Sequence, residues 1–286
     1  MEIIIAKTAG FCFGIKNAVT KTEQILENQS SIYCLGELTH NTQVTTKFIK
    51  KGLKIINKIE EVPNNTKVIF RAHGEPEKTY NYAKKNNIEV IDLTCPKVIN
   101  VHTIVKEYSD KEYFIVVFGE RLHPEVIGHI GYAKKYFVIS EKEEIEKAVN
   151  EIQQNDEKNI LIVAQTTHSL NRFKDFSNVL KELLESQQKN VVIKNTVCNA
   201  TEIRQKEAEE LSKQVEYMII IGGKKSSNTT QLYNIAKESN PNSILIETVK
   251  ELDVNMVKQY KKVGIIAGSS TPNYSIEEVV EALERN

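Results

Sequence analysis

Short apolar runs alternate with longer polar stretches along the whole chain. The runs at 2–6 (EIIIA), 31–35 (SIYCL), 53–57 (LKIIN), 67–71 (KVIFR) and 88–92 (IEVID) read as strands. So do 113–118 (YFIVVF), 136–139 (YFVI), 159–164 (NILIVA) and 190–194 (NVVIK). The last three are 216–222 (EYMIIIG), 243–247 (SILIE) and 262–267 (KVGIIA). Most run apolar without alternation, the mark of strands covered on both faces. Segments between them, such as 170–188 and 200–214, are rich in Glu, Lys, Gln and Leu and read as helices. Apolar strands alternating with helices predict an α/β fold with mostly parallel sheets.

Twelve strands is a large number for one open sheet, and an internal repeat resolves the excess. Three strands end in a glycine followed four residues later by a polar residue: Gly36 and His40, Gly119 and His123, Gly222 and Ser226. Two strands on, a second polar turn follows: His73 in RAHG, Thr166 in AQTT, and Ser269 with Ser270 in AGSS. One strand further comes a cysteine loop, with Cys95 in DLTCPKV and Cys198 in NTVCNAT. The third copy runs out of chain one strand short, and the N-terminus supplies that strand with its loop, GFCFG, and Cys12.

The pattern predicts three α/β lobes of four strands related by a pseudo-threefold axis. Their expected bounds are residues 13–96, 97–195, and 196–286 completed by 1–12. Ligands of parallel α/β sheets bind beyond the carboxyl ends of strands, and all nine marked positions lie there. Convergence of the lobes would bring Cys12, Cys95 and Cys198 together.

Charge and cysteine usage narrow the function. Lys+Arg and Asp+Glu are both 38, so the formal net charge is zero. That argues against broad attraction to nucleic acid or to an anionic membrane. No apolar run reaches the ~20 residues of a membrane span, and the start lacks the features of a signal peptide. The expectation is a cytoplasmic protein, and a monomer, since no surplus apolar stretch is evident. Four cysteines without a CxxC pair fit neither a disulfide scaffold nor a zinc finger. Cys34 sits inside the strand SIYCL and reads as core filler.

Three thiolates around one point suit a soft metal centre. Cys₃-bound zinc with one further ligand fits the pattern. So does a cubane cluster with one open iron. The SSNTTQL turn at 226–232 follows a strand and opens a helix, where serine and asparagine cap backbone amides and anions bind. With His40 and His73 it reads as a diphosphate clamp. Glu125, two residues after His123, is placed to carry protons if desolvated. Taken alone it reads better as a solvated first-turn glutamate, and Thr166 reads equally as an ST-turn. His102, His129 and His168 fall outside the repeat frame, and the first two read as structural or exposed residues of helices.

GFCFGIKNAV, GELTHN, RAHGEP, DLTCPKV, HPEVIGH, AQTTHS, NTVCNATEIRQ, GGKKSSNT and GSSTPN occur in this order between residues 10 and 273. Together they resemble the 4-hydroxy-3-methylbut-2-enyl diphosphate reductases, the LytB-type enzymes that end the non-mevalonate isoprenoid pathway. The resemblance implies a [4Fe-4S] cluster on Cys12, Cys95 and Cys198, with one open iron. It implies a diphosphate held by His40, His73, Ser226, Ser227, Asn228 and Ser270, with His123 lining the pocket. Thr166 would position the substrate and Glu125 would deliver protons. The implied reaction is reductive dehydration to isopentenyl or dimethylallyl diphosphate, with electrons from ferredoxin or flavodoxin.

Three other readings compete. One is a cluster-dependent dehydratase of a phosphorylated metabolite that needs no reductant. Another is a hydrolase using Cys₃-bound zinc. The third is a non-catalytic phosphometabolite-binding module whose cysteines merely pack.

Overall fold

All twelve apolar runs are strands in the computed structural model, which describes residues 1–285. The chain opens with β1 (Glu2–Ile5), α1 (Phe13–Asn28), β2 (Ile32–Leu35) and α2 (Thr42–Lys50). Then follow β3 (Leu53–Ile56), β4 (Lys67–Phe70), α3 (Glu77–Lys85) and β5 (Glu89–Asp92). The middle of the chain forms α4 (Pro96–Asp110), β6 (Phe114–Phe118), α5 (Pro124–Ile130) and β7 (Tyr136–Ile139). After these come α6 (Ile145–Gln154), β8 (Asn159–Ala164), α7 (Leu170–Glu185) and β9 (Asn190–Ile193). The C-terminal part holds α8 (Asn199–Ser212), β10 (Tyr217–Ile221), α9 (Ser227–Ser239) and β11 (Ser243–Ile246). The last elements are α10 (Val254–Val257), β12 (Lys262–Ala267) and α11 (Asn273–Glu284).

The strands form three four-stranded sheets, in the orders β3-β2-β4-β5, β7-β6-β8-β9 and β11-β10-β12-β1. β1 pairs in parallel with β12, so the first strand of the chain closes the last sheet. In each sheet the two central strands end level, with Leu35 beside Phe70, Phe118 beside Ala164, and Ile221 beside Ala267. The turns that leave them therefore start from one edge.

Hydrogen bonds repeat at the same places. The amides of Gly36, Gly119 and Gly222 donate to Ile56, Ile139 and Ile246 on the neighbouring edge strands, at 2.8, 3.0 and 2.9 Å. A 3₁₀ turn follows each of those edge strands. In it the carboxylates of Glu61, Glu144 and Glu251 accept the amides of Asn57, Ser140 and Glu247. The sequence pattern did not expose these acidic caps, because single glutamates in IEE, KEE and VKE look like ordinary surface charge.

Continuous apolar strands are covered on both sides, as their composition requires. One face of the β6–β8 sheet packs Phe118, Phe173 and Leu180, and the other packs Val105, Val117 and Val126. One face of the β10–β12 sheet packs Ile219, Ile265 and Val279, and the other packs Met218, Leu232 and Ala236. Each of these side chains removed from water contributes roughly 1.5–3 kcal/mol before entropy is counted.

The chain packs as two compact units. A terminal unit comprises residues 1–31, 37–53 and 199 onward, with the β10–β12 sheet. A central unit comprises residues 32–36 and 54–198, with the other two sheets. Asn286, the last residue of the third expected lobe, lies outside the described residues. Among the described residues no helix is long and apolar enough to cross a membrane.

Candidate functional site

In the central unit six candidate residues form one connected chain. The amide of Cys198 donates to the carbonyl of Thr166 at 2.9 Å. Thr166 in turn donates to Glu125, from its amide to Oε1 at 2.5 Å and from Oγ1 to Oε2 at 2.9 Å. The Glu125 amide donates to Nδ1 of His123, the N-cap of α5, at 3.2 Å. The His123 ring meets the His73 ring edge to face, with centroids 5.5 Å apart. Beside His73, the carbonyl of Ala72 accepts the amide of Cys95 at 3.0 Å. Two cysteine turns are thus tied to each other through every candidate side chain of this unit.

Glu125 is not solvated, which corrects the reading of it as an ordinary first-turn glutamate. It is 3% exposed. Proline at the start of α5 fixes the first turn and turns the glutamate inward. His129, one helical turn on and fully buried, places Nε2 3.2 Å from Glu125 Oε1. Burial pushes the carboxyl up, but the bonds from His129 and Thr166 and the nearby imidazoles outweigh it. The carboxyl lies below its usual range and rests as a carboxylate. Burial likewise holds the His123 imidazole low despite the neighbouring Glu125. With Nδ1 accepting, neutral His123 offers its other nitrogen as a donor.

His129 and His102 are both buried, so neither is an exposed helical residue. His129 is a site residue that reading by repeat frame missed. The signal was present: Glu125 and His129 stand four apart on one helix and must share a face.

The terminal unit carries the other candidates. Ser226 caps α9, its hydroxyl accepting the Thr229 amide at 3.4 Å. Ser227 and Asn228 are buried in the first turn. Asn228 Nδ2 and Thr229 Oγ1 are sealed from solvent and find no hydrogen-bond partner among the described residues. A helix N-terminus and an unsatisfied amide donor together favour an anion. Ser270, also buried, donates to the His40 carbonyl at 3.4 Å. A Cβ on Gly223 would stand 2.1 Å from that carbonyl, so only glycine lets the two turns meet. His40 does not share its expected position. The caps are Asn41, His123 and Ser226, so His40 lies one residue before its cap and two before its helix.

The three cysteines of the repeat are equivalent in detail. Cys12 and Cys95 are N-caps of α1 and α4, and Cys198 directly precedes α8. Their amides donate to Ser269, Ala72 and Thr166, each the second residue after a central strand. All three are half-buried cysteines outside any disulfide, at helix N-termini, which favour negative charge. Three such donors fit a soft iron–sulfur centre. Cys34 does not fit one: it is fully buried in β2, and burial pushes its thiol up to about 12.

Residues 3–284 match the model of the family described as LytB protein. The chain is 44% identical over 285 residues to a 4-hydroxy-3-methylbut-2-enyl diphosphate reductase of Clostridioides difficile (strain 630), covering 99% of each. It is 40% identical to the protein of that name from Aquifex aeolicus (strain VF5), covering 99% of this chain and 96% of that one. A solved structure of (E)-4-hydroxy-3-methyl-but-2-enyl diphosphate reductase superposes with a TM-score of 0.70 at 40% identity, covering 99% of both chains. A second, the E-1-hydroxy-2-methyl-but-2-enyl-4-diphosphate reductase of Plasmodium falciparum, gives 0.86 at 26% identity, covering 99% of this chain and 88% of that one. Coverage of this extent, with the repeated turns in register, means that the chain belongs to the LytB family.

Proposed function

We propose that this chain reduces (E)-4-hydroxy-3-methylbut-2-enyl diphosphate to isopentenyl and dimethylallyl diphosphate, with loss of water. The reaction ends the non-mevalonate isoprenoid pathway. The observation that carries the reading is the buried Glu125 carboxylate, tied through Thr166 to the turn of Cys198. The names of the relatives agree with it.

Cys12, Cys95 and Cys198, one from each cysteine turn of the repeat, would hold a [4Fe-4S] cluster. When bound, that group supplies electrons and a Lewis-acidic iron at the substrate's hydroxyl. The lobes are taken as residues 13–96, 97–195, and 196–286 with 1–12. Ferredoxin or flavodoxin serves as donor, and the chain works as a monomer.

The chain's own residues bind, orient and protonate. His40, His73, Ser226, Ser227, Asn228 and Ser270 would take the diphosphate, with His123 lining the pocket. Asn228 Nδ2 gains there the acceptor it lacks among the described residues. Neutral His123 donates one hydrogen bond. Diphosphate binding energy serves orientation rather than chemistry. Thr166 keeps Glu125 in one rotamer and positions the substrate. Glu125, once it carries a proton, passes it to the departing oxygen.

Anaerobically purified protein should be brown, show an EPR signal on reduction, and take up two electrons per molecule of the diphosphate substrate. Cys95→Ser should lose the iron with only a modest shift in Tm. A colourless zinc protein would sink the reading, and water loss without electron uptake would favour the non-redox dehydratase.

A further inference from the structure

Glu125 rests as a carboxylate, so a reaction that draws a proton from it must refill it each turnover. Two buried histidines stand beside it, on α5 and α4. His129 on α5 meets Glu125 through Nε2. Its Nδ1 is buried without a partner among the described residues. His102 on α4 meets His129 edge to face, with ring centroids 5.2 Å apart, and its Nε2 is likewise buried and unpartnered. Two adjacent imidazoles each holding an unused, sealed nitrogen are uncommon, because buried polar atoms are nearly always paired.

The packing around His102 is specific to its ring. A Cβ on Gly74 would stand 2.6 Å from His102 Cε1, and a Cβ on Gly128 would stand 3.0 Å from Nε2. These are the glycines of RAHGEP and HPEVIGH, so both motifs leave room for this imidazole. Tyr132 stacks on its other side at 4.6 Å. His102 also lines a surface cavity of about 490 Å³ with Asp92, Glu107 and Asp110. One end of the pair therefore faces water and carboxylates, and the other faces Glu125.

We propose that His102 and His129 form a proton relay that recharges Glu125 from the surface cavity beside α4. The inference rests on the reductase reading. Each turnover consumes two electrons and two protons and releases one water, and the relay carries one of those protons. A proton from cavity water adds to one nitrogen of His102 as the other releases its own towards His129 Nδ1, on ring rotation or through one water. His129 passes its Nε2 proton to Glu125 Oε1, and Glu125 passes it to the departing hydroxyl oxygen. Burial, with a smaller contribution from His129, pushes the His102 imidazole down to about 3. It therefore works as a neutral donor–acceptor with no charge to stabilise. Both histidines are positioning and relay residues that do not touch substrate.

The test uses the cluster-loaded protein and size-conserving His102→Gln, beside His102→Ala. Iron content and Tm should match the unsubstituted protein. With the authentic diphosphate, kcat should fall roughly tenfold at unchanged KM. The solvent isotope effect on kcat should rise, and millimolar imidazole should restore His102→Ala. Unchanged kcat and isotope effect in a loaded variant would overturn the relay. A second readout needs no variant: in ¹⁵N-histidine-labelled protein the His129 ring proton should exchange with water faster than one turnover. A ring proton held for minutes would refute the relay without touching the reductase reading. Absence of electron uptake by the unsubstituted protein would refute that reading instead.

Discussion

Glu125 and Glu75 are both buried in the central unit, yet their carboxyls move in opposite directions. Glu125 accepts two bonds from Thr166 and one from His129, and stays ionised below its usual range. Glu75 has the Arg71 guanidinium 3.8 Å away, and its Oε1 finds no hydrogen-bond partner among the described residues. Burial therefore dominates and pushes its carboxyl up to about 7, with Arg71 opposing and Asp92 adding. Burial costs both residues. What separates them is the number of donors aimed at the carboxylate. Glu125 is held for chemistry, whereas Glu75 is closer to a neutral packing group.

The largest expected effect breaks the comparison at Glu125. Glu125→Gln keeps the shape but not the acid, so kcat should fall by about 10³ while the brown colour remains. Full activity would remove Glu125 from the mechanism. The lowered carboxyl also contributes stability that is present above pH ~4.5 and lost as pH falls through the folded value. The substitution should flatten that acid limb in a Tm series.

Glu75→Gln tests the other half. Its folded pKa lies above the unfolded one, so the folded protein holds a proton that the unfolded chain releases. Stability should fall as pH rises from about 4.5 to 7. Glu75→Gln should remove that slope and gain up to ~3 kcal/mol by pH 8 in denaturant unfolding. Parallel curves for the two proteins would show that Glu75 is ionised and paired after all.

Thr166→Val sharpens the contrast by deleting one donor and keeping the amide. It should cost about 2 kcal/mol of stability and shift the kcat profile as the Glu125 carboxyl rises. The smallest effect concerns a donor without an acceptor. Asn228→Ala removes an amide nitrogen that no group among the described residues uses, so Tm should barely move. KM for the diphosphate should rise roughly tenfold, the scale of one bond to a charged group. A large loss of Tm with unchanged KM would make Asn228 structural.

Legibility followed the range of the interaction. Every strand was readable, with ends within one residue, because continuous β-branched runs declare burial on both faces. The turns were readable as a repeat, and the carbonyl partners of Cys12, Cys95 and Cys198 show that it holds to single hydrogen bonds. Glu125 was misjudged from its residue alone, since a first-turn glutamate is solvated unless something covers it. His102 and His129 were passed over because they lie off the repeat. Their significance depends on α4 packing beside α5.

By itself the sequence determined the class of fold, the three sheets, the cysteine turns and the family. The first three follow from spacing and periodicity, and the family from the resemblance of its ordered motifs, all of which survive in a linear string. Only tertiary structure decided which carboxyl is ionised and which nitrogens are left unpaired. It also decided that Gly74 and Gly128 lie against one imidazole, where a Cβ would collide with it. Desolvation and hydrogen bonding depend on atoms brought together in space: Glu125 is held ionised first by His129 one helical turn on, and also by the amide of Thr166, forty-one residues away.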